Sequence, residues 1–229
     1  MKKTVKVFTF IDRDTSPFLE TWINYYSKLQ NSSLAILHKN KLTPIIEANY
    51  PNVHFIDVSD YYNNISSTSY IPPNKIFTEY QAKFLLSYDR VIYTDLDEFI
   101  VHEDLNSVIQ SDFDPCLVTT GVEIVQTIGK EDGFDFNKSI ISQRSNMIYS
   151  IWYDKPLIVS NRVDWAAGKH NHGVFSTYVD GLYLVHLGKI CNELSQLWAK
   201  ENIQLYADKS IDWNAFLRTD PEEYKRALN

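Results

Sequence analysis

The first half of the chain alternates between short apolar runs and amphipathic segments, with polar turns between them. Val5–Ile11 is rich in β-branched and aromatic residues, which predicts a buried strand. Polar residues and Pro17 follow, and this order is typical of a helix start. Apolar side chains then recur at helical spacing from Phe18 to Leu29, with Trp22 and Tyr26 among them, which predicts a helix.

The same unit recurs along the first hundred residues. Further strands are predicted at Leu34–Leu37, Val53–Val58 and Arg90–Thr94, helices at residues 43–48 and 76–86, and a long loop at residues 59–73. This alternation predicts an α/β fold, a single Rossmann-like domain with a mostly parallel central sheet and helices on both faces. In such sheets ligands bind beyond the carboxyl ends of the strands.

The second half of the chain is less regular. Strands are predicted at Cys116–Gln126, Leu157–Ser160 and Leu182–Leu187, and a polar loop region at residues 127–147. From Asn192 onward the pattern indicates short helices. We therefore expect one domain over residues 1–190 and a helical C-terminal extension of the same domain over residues 191–229.

Composition and charge narrow the possible partners. The formal net charge of the 229 residues is -7, and no basic stripe interleaves with aromatic residues, so nucleic acid is not an expected partner. Cys116 and Cys191 do not form a zinc-type pair and are expected to be reduced thiols of a cytoplasmic protein. No run of about 18 apolar residues exists, so no membrane-spanning segment is expected.

The sharpest chemical feature is Asp95-Leu96-Asp97-Glu98, which directly follows the predicted strand Arg90–Thr94. In extended backbone, residues two positions apart face the same side, so the carboxylates of Asp95 and Asp97 are expected to converge. Carboxylate oxygens are hard ligands that suit Mg²⁺ or Mn²⁺. The alternative is an ordinary acidic turn after a strand.

A second cluster lies between Asp164 and Gly173, where a carboxylate, an indole, a lysine and two imidazoles occur together. Lys169 or His170 could neutralise a diphosphate, and Asp164 could accept a proton from an acceptor hydroxyl. Trp165 could stack on a sugar face. The alternative is a surface loop with solvated histidines.

Three further side chains are candidates for the same site. Glu123 lies on a predicted strand and could bind an acceptor hydroxyl or act as the base, although it could also be part of the polar face of that strand. His186 ends an apolar strand, where an ordinary core histidine is the alternative. Lys189 follows closely and is a plausible phosphate contact.

The segment Tyr88–Phe99 resembles the strand and DxD(E) motif of GT-A glycosyltransferases. The opening segment Asp12–Tyr26 is similar to the first strand–loop–helix of bacterial family-2-like members, although Asp12-Arg13 stands where Asn-Glu is usual. The resemblance implies a GT-A fold and a donor that is a nucleoside diphosphate sugar, with uridine the commonest base.

The resemblance also implies roles for individual residues. Asp97 would coordinate the metal, and Asp95 would contact metal or ribose. His186 would complete the metal sphere, with His172 as its competitor. The base and ribose would lie at the carboxyl end of the first strand, formed by Thr9, Phe10, Ile11 and Asp12.

Together these features predict transfer of a sugar to a hydroxyl of a saccharide or lipid-linked saccharide in bacterial surface polysaccharide synthesis. A lipid-linked acceptor would be met at the inner face of the membrane by peripheral association. Two alternatives stay open, a non-catalytic sugar-binding domain and a haloacid dehalogenase-type phosphotransferase. The phosphotransferase motif normally has Thr or Val where Phe99 stands.

Overall fold

The protein is described from a computed structural model that covers residues 2–11, 17–39, 44–64, 71–135, 138, 142–150, 153–165 and 175–190. The strands are β1 (Val5–Ile11), β2 (Ser32–His38), β3 (Val53–Asp57), β4 (Arg90–Tyr93), β5 (Glu98–Val101), β6 (Cys116–Val125), β7 (Asn146–Tyr149), β8 (Lys155–Val159) and β9 (Thr177–Lys189). The helices are α1 (Leu19–Tyr26), α2 (Pro44–Asn49), α3 (Ser59–Asn64), α4 (Ile71–Leu85) and α5 (Leu105–Gln110).

The strands form a sheet in the order β3-β2-β1-β4-β8-β6-β9-β5, and β7 pairs with β6. The four strands β3, β2, β1 and β4 are parallel neighbours. The β4–β8, β6–β8 and β6–β7 pairs are antiparallel. The predicted α/β class and its parallel sheet are confirmed, while the antiparallel strands beside β4 were not foreseen.

The core is centred on β1 and β4. Val5, Val7 and Phe8 of β1 are fully buried, and all four residues of β4 are buried. Strands that are buried on both faces of a sheet have nearly continuous apolar sequences. This explains the apolar runs of β1 and β4. Lys6 and Thr9 are the buried polar residues of β1, and Lys6 Nζ donates to Ser33 Oγ at 2.9 Å.

The structure corrects the predicted loop over residues 59–73, which contains α3 and the start of α4. The backbone N–H of Ser59 donates to Asp57 Oδ1 at 2.8 Å, an arrangement that favours a helix start. Pro72 and Pro73 lie in the first turn of α4, where the absent N–H has no helical partner to lose. Prolines that we interpreted as part of a loop therefore belong to a helix.

Three short elements were missed by the hydrophobic pattern. Strand β5 follows the acidic turn directly, and α5 begins after Asp104, whose Oδ1 accepts from the Ser107 N–H at 3.0 Å. Strand β7 lies at the end of the predicted loop region 127–147. Elements of four to six residues are too short to show a clear hydrophobic periodicity along the sequence.

The chain divides into two compact units. The first contains Met1–Gly121 and Ile151–Leu184, and the second contains Val122–Ser150 and Val185–Asn229. The predicted division into residues 1–190 and 191–229 stays a prediction, since residues 191–229 lie outside the described part. None of the helices within the described ranges combines the length and apolarity that crossing a bilayer requires.

Candidate functional site

The acidic motif of the first unit forms a tight turn between β4 and β5. The Glu98 N–H donates to the Asp95 carbonyl oxygen at 3.1 Å, and the Asp95 N–H donates to Glu98 Oε2 at 3.1 Å. The extended geometry predicted for Asp95 to Asp97 is therefore wrong, because the strand ends at Tyr93. The two aspartates lie in a turn that the Glu98 side chain closes.

The carboxylate of Asp95 is contacted on both oxygens. Its Oδ1 accepts from the Tyr93 hydroxyl at 2.5 Å, and its Oδ2 lies 4.0 Å from Lys155 Nζ. The Asp95 side chain is 40% exposed, so it is still open to solvent. Burial, followed by the negative charge of Asp95, raises the pKa of Tyr93 well above its ordinary value, so this hydroxyl stays protonated and donating.

Beneath the turn lies a buried ion pair between Glu98 and Lys155. Lys155 Nζ contacts Glu98 Oε1 in a short charge-assisted hydrogen bond, and both side chains are nearly inaccessible to solvent. Burial acts to lower the pKa of Lys155, but the attraction of Glu98 and then of Asp95 outweighs it, and the pKa lies above its ordinary value. Lys155 is therefore a cation in the interior, directly behind the acidic turn.

Helix α1 holds the backbone on either side of this turn. The buried indole of Trp22 donates from Nε1 to Thr94 Oγ1 at 2.8 Å. The hydroxyl of Tyr26 donates to the Glu98 carbonyl oxygen at 3.1 Å and accepts from the Ile100 N–H at 3.0 Å. The aromatic residues that identify α1 in the sequence thus also position the acidic turn.

In the second unit, Glu123 and His186 form a pair. Glu123 is fully buried, and its Oε1 lies 2.9 Å from His186 Nδ1. The side chain of His186 is 17% exposed. Glu123 is thus placed to orient the His186 imidazole. Because it is buried, an acceptor molecule could not contact it directly.

The cluster predicted around residue 164 is described only in part. Asp164 is exposed and forms an ion pair with Arg162, with Oδ1 at 2.9 Å from Nη2. Trp165 is buried, donates from Nε1 to the Pro156 carbonyl oxygen at 3.0 Å and lies 5.8 Å from the Tyr93 ring. Its predicted stacking on a sugar is therefore wrong, because the indole is part of the core. Lys169, His170 and His172 lie outside the described residues.

The carboxyl end of β1 is mostly buried. Thr9 is fully inaccessible, and among the residues that the structure describes its Oγ1 has no hydrogen-bond partner; Ile11 is also buried. Phe10 is partly exposed, with its ring 5.8 Å from that of Phe77. The predicted nucleotide contacts of this segment stay predictions, and Asp12 lies outside the described residues. Lys189 is the last residue of β9.

Sequence reasoning missed Tyr93, Glu98 and Lys155 as parts of the site. Glu98 was visible inside the motif, but nothing showed that its side chain turns back to the Asp95 backbone. Lys155 opens the apolar run of β8, and a lysine beside such a run is a weak signal of a buried counter-charge. The pairing of β4 with β8 brings it to the turn, and this antiparallel pairing was not predicted.

The residues of the turn fit a hard divalent cation in the chemistry of their donors. Within the described ranges no group of three or more His, Cys, Asp or Glu side chains could hold a metal by itself. Mg²⁺ and similar ions are commonly held by one or two carboxylates together with water and substrate phosphates. Asp95 and Asp97 provide such a partial set.

No protein-family model matches the chain, and no curated protein matches it. Several solved structures match the chain. Staphylococcus aureus TarS matches with 13% identity and a TM-score of 0.41 over 99% of this chain, which spans 47% of the TarS chain. The mannosyltransferase PcManGT from Pyrobaculum calidifontis, solved with GDP-mannose and Mn²⁺, matches with 11% identity and a TM-score of 0.44 over 100% of this chain and 68% of its own.

A third similar structure is 4-diphosphocytidyl-2C-methyl-D-erythritol synthase, with 10% identity and a TM-score of 0.39 over 69% of this chain and 76% of its own. Three of the similar structures carry glycosyltransferase names, namely GlyE, PcManGT and a xyloside xylosyltransferase, whereas the third structure described above is a synthase. At these scores the assignment of a function depends on the chain's own residues.

Proposed function

We propose that the protein is a metal-dependent glycosyltransferase of GT-A type that uses a nucleoside diphosphate sugar, with UDP-sugar the first candidate. The observation that carries this proposal is the acidic turn Asp95–Glu98 at the carboxyl end of β4, beside its parallel neighbour β1. The carboxyl edge of a parallel sheet is where α/β folds bind ligands. The resemblance of residues 88–99 to the DxD motif supports the same proposal.

In this proposal, Asp97 coordinates Mn²⁺ or Mg²⁺, and Asp95 contacts the metal or the ribose. The bound ion would supply positive charge that stabilises the departing diphosphate. The chain's own contribution is to hold the carboxylates: Tyr93 orients Asp95, and Glu98 fixes the turn. The hydrogen bond from Tyr93 would preorganise Asp95 for a metal at this turn, because that carboxylate is already held in place.

The remaining predicted roles are part of the proposal. Lys169, His170 and Lys189 are candidates for diphosphate contacts, and Asp164 is the candidate base for an inverting reaction. His186 is a candidate metal ligand. For Glu123 the proposal replaces the predicted role as acceptor contact or base by that of orienting His186, because Glu123 is buried and its Oε1 lies 2.9 Å from His186 Nδ1. The acceptor would be a saccharide or lipid-linked saccharide of a bacterial surface polysaccharide, met in the cytoplasm or at the inner face of the membrane by peripheral association.

A thermal-shift panel tests the proposal. Nucleoside diphosphate sugars are added to the wild-type chain with and without Mn²⁺, and we expect one donor to raise the melting temperature only when Mn²⁺ is present. At a concentration a hundredfold above the dissociation constant, binding stabilises the native state by about 2.7 kcal/mol, which such a panel detects. The variant Asp97→Asn is expected to lose the Mn²⁺-dependent part of this shift.

The controls separate the alternatives. Glu103→Asn changes an exposed carboxylate and is expected to keep the shift. Stabilisation by a donor without any metal, or no stabilisation by any donor, would contradict the proposal. Release of phosphate from a phosphomonoester would favour the phosphotransferase alternative. Binding of a sugar that Asp97→Ala leaves unchanged would favour the sugar-binding domain.

A further inference from the structure

The buried pair of Glu98 and Lys155 lies against a carboxylate of the proposed metal site. Lys155 Nζ contacts Glu98 Oε1 and is 4.0 Å from Asp95 Oδ2. The Lys155 side chain is 6% exposed and that of Glu98 is 1% exposed. A buried ammonium thus has two carboxylates within reach, and the nearer one is Glu98.

The charge at the turn depends on which carboxylate the ammonium neutralises. An ammonium paired with Asp95 would cancel the charge of that carboxylate and repel a divalent cation. Glu98 holds the ammonium instead, and its second oxygen, Oε2, accepts the Asp95 N–H at 3.1 Å. The same carboxylate therefore shapes the turn and draws the lysine charge away from Asp95.

We infer that Glu98 is a positioning residue that retains Lys155 and so keeps Asp95 available for a divalent cation. This inference rests on the proposed function, because it concerns the same metal. It differs from a purely structural role of the ion pair in one respect. Removing Glu98 alone damages the metal site by releasing a positive charge, and removing that charge as well repairs it.

The test is a charge cycle at the two positions. Glu98→Gln keeps an oxygen that can accept the Asp95 N–H and removes the negative charge, so Lys155 is expected to pair with Asp95. The double variant Glu98→Gln/Lys155→Met removes both charges and leaves the formal charge of the turn unchanged. Replacing a buried ion pair by neutral side chains of similar size is often tolerated, so the double variant is expected to fold.

The probe is Mn²⁺ alone, titrated into each protein and followed by water-proton relaxation, which detects weak complexes. Glu98→Gln is expected to weaken Mn²⁺ binding about tenfold or more, as one like charge close to the ion requires. The double variant is expected to return to within about threefold of the wild-type affinity, since the added charge is gone. Lys155→Met alone removes the cation and leaves the buried Glu98 carboxylate without its partner, and it is expected to bind Mn²⁺ at least as tightly as wild type. Glu103→Gln, an exposed carboxylate in the same unit, is the control and is expected to match wild type.

The outcomes distinguish this inference from the proposed function. Wild-type Mn²⁺ binding that Asp97→Asn abolishes, with loss in Glu98→Gln and recovery in the double variant, supports both. Asp97-dependent binding with the double variant as weak as Glu98→Gln overturns this inference alone, because the pair is then merely structural. If Glu98→Gln does not fold, weaker binding by Lys155→Met overturns the inference, and equal or tighter binding supports it. No Asp97-dependent Mn²⁺ binding in the wild type overturns the proposed function and this inference with it.

Discussion

Glu123 Oε1 lies 2.9 Å from His186 Nδ1 within the second unit, and this contact decides which ring nitrogen carries the proton. The Gly188 N–H is also near Nδ1, at 3.3 Å, but a nitrogen that donates to Glu123 cannot accept from Gly188. The shorter contact to a carboxylate is the stronger one, so we assign the proton to Nδ1. The neutral ring then carries its acceptor lone pair on Nε2, the arrangement in which carboxylates orient metal-binding histidines.

Glu123→Gln tests this assignment. The variant loses the charge that favours Nδ1–H, so we expect the proton to redistribute between the two ring nitrogens, which nitrogen-15 chemical shifts of the His186 ring report. If His186 has its predicted role as a metal ligand, Mn²⁺ affinity should also fall by about 10–100-fold, as loss of an orienting partner does. Unchanged ring shifts would contradict the assigned tautomer, whatever happens to the metal.

The imidazole of His186 leaves no room for a side chain at residue 188, which explains the glycine there. A Cβ at this residue would overlap His186 Cε1 and come within 3.2 Å of Nε2. We therefore expect Gly188→Ala to displace the ring, which lowers the melting temperature and separates the ring from Glu123. The matched control is Gly133→Ala in the same unit, because a Cβ there meets nothing within 4 Å. Equal melting temperatures and ring shifts in the two variants would contradict this reading of Gly188.

The contact between helix α1 and the acidic turn should be measurable as stability. Thr94→Val keeps the side-chain shape and removes the oxygen that accepts from Trp22 Nε1 at 2.8 Å. Both side chains are fully buried, so the indole N–H would lose its partner at a cost of about 1–3 kcal/mol. Urea unfolding measures this loss. Trp22→Phe removes the donor as well, and a double variant that is less destabilised than the sum of the single ones would confirm that the two groups interact. Additive losses would contradict it.

The surroundings of individual residues explain which features of the structure could be predicted from the sequence. Strands β1 and β4 were predicted almost to the residue, because full burial produces apolar runs that end in polar residues. Asp95 and Asp97 were predicted because they follow such a run. Lys155 was missed because its place at the turn arises from the pairing of β4 with β8, a contact between distant segments. Local patterns report burial and turns, but they carry no information about which distant strand becomes the neighbour.

The same limit applies to side-chain direction. The spacing of Asp95 and Asp97 was read as that of a strand, but a turn forms because Glu98 accepts the Asp95 N–H. From the sequence, Glu123 was interpreted as an acceptor contact, a catalytic base or part of the polar face of a strand. None of these interpretations included His186 as its partner. A histidine and a glutamate more than sixty residues apart in the chain have no local signal for such a contact.

Asp89 and Thr4 join the starts of β4 and β1, and this contact predicts a pH dependence of stability. Asp89 Oδ2 accepts from the Thr4 N–H at 2.8 Å and from Thr4 Oγ1 at 2.9 Å. These hydrogen bonds, the backbone one first, hold the pKa of Asp89 below its ordinary value of 3.8. A lowered pKa in the folded state means that the contribution is complete well above pH 3.8 and is lost as the pH falls through the folded-state value.

We therefore expect Asp89→Asn to be less stable than wild type near neutral pH, and the difference to shrink as the pH falls below 3.8. Urea unfolding midpoints of the two proteins across this range measure it. Thr4→Val is the matched variant, because it removes the hydroxyl donor and leaves the N–H donor, so its pH dependence should lie between the other two. A stability difference between wild type and Asp89→Asn that stays constant from neutral to acid pH would show that the Asp89 charge has no part in this contact.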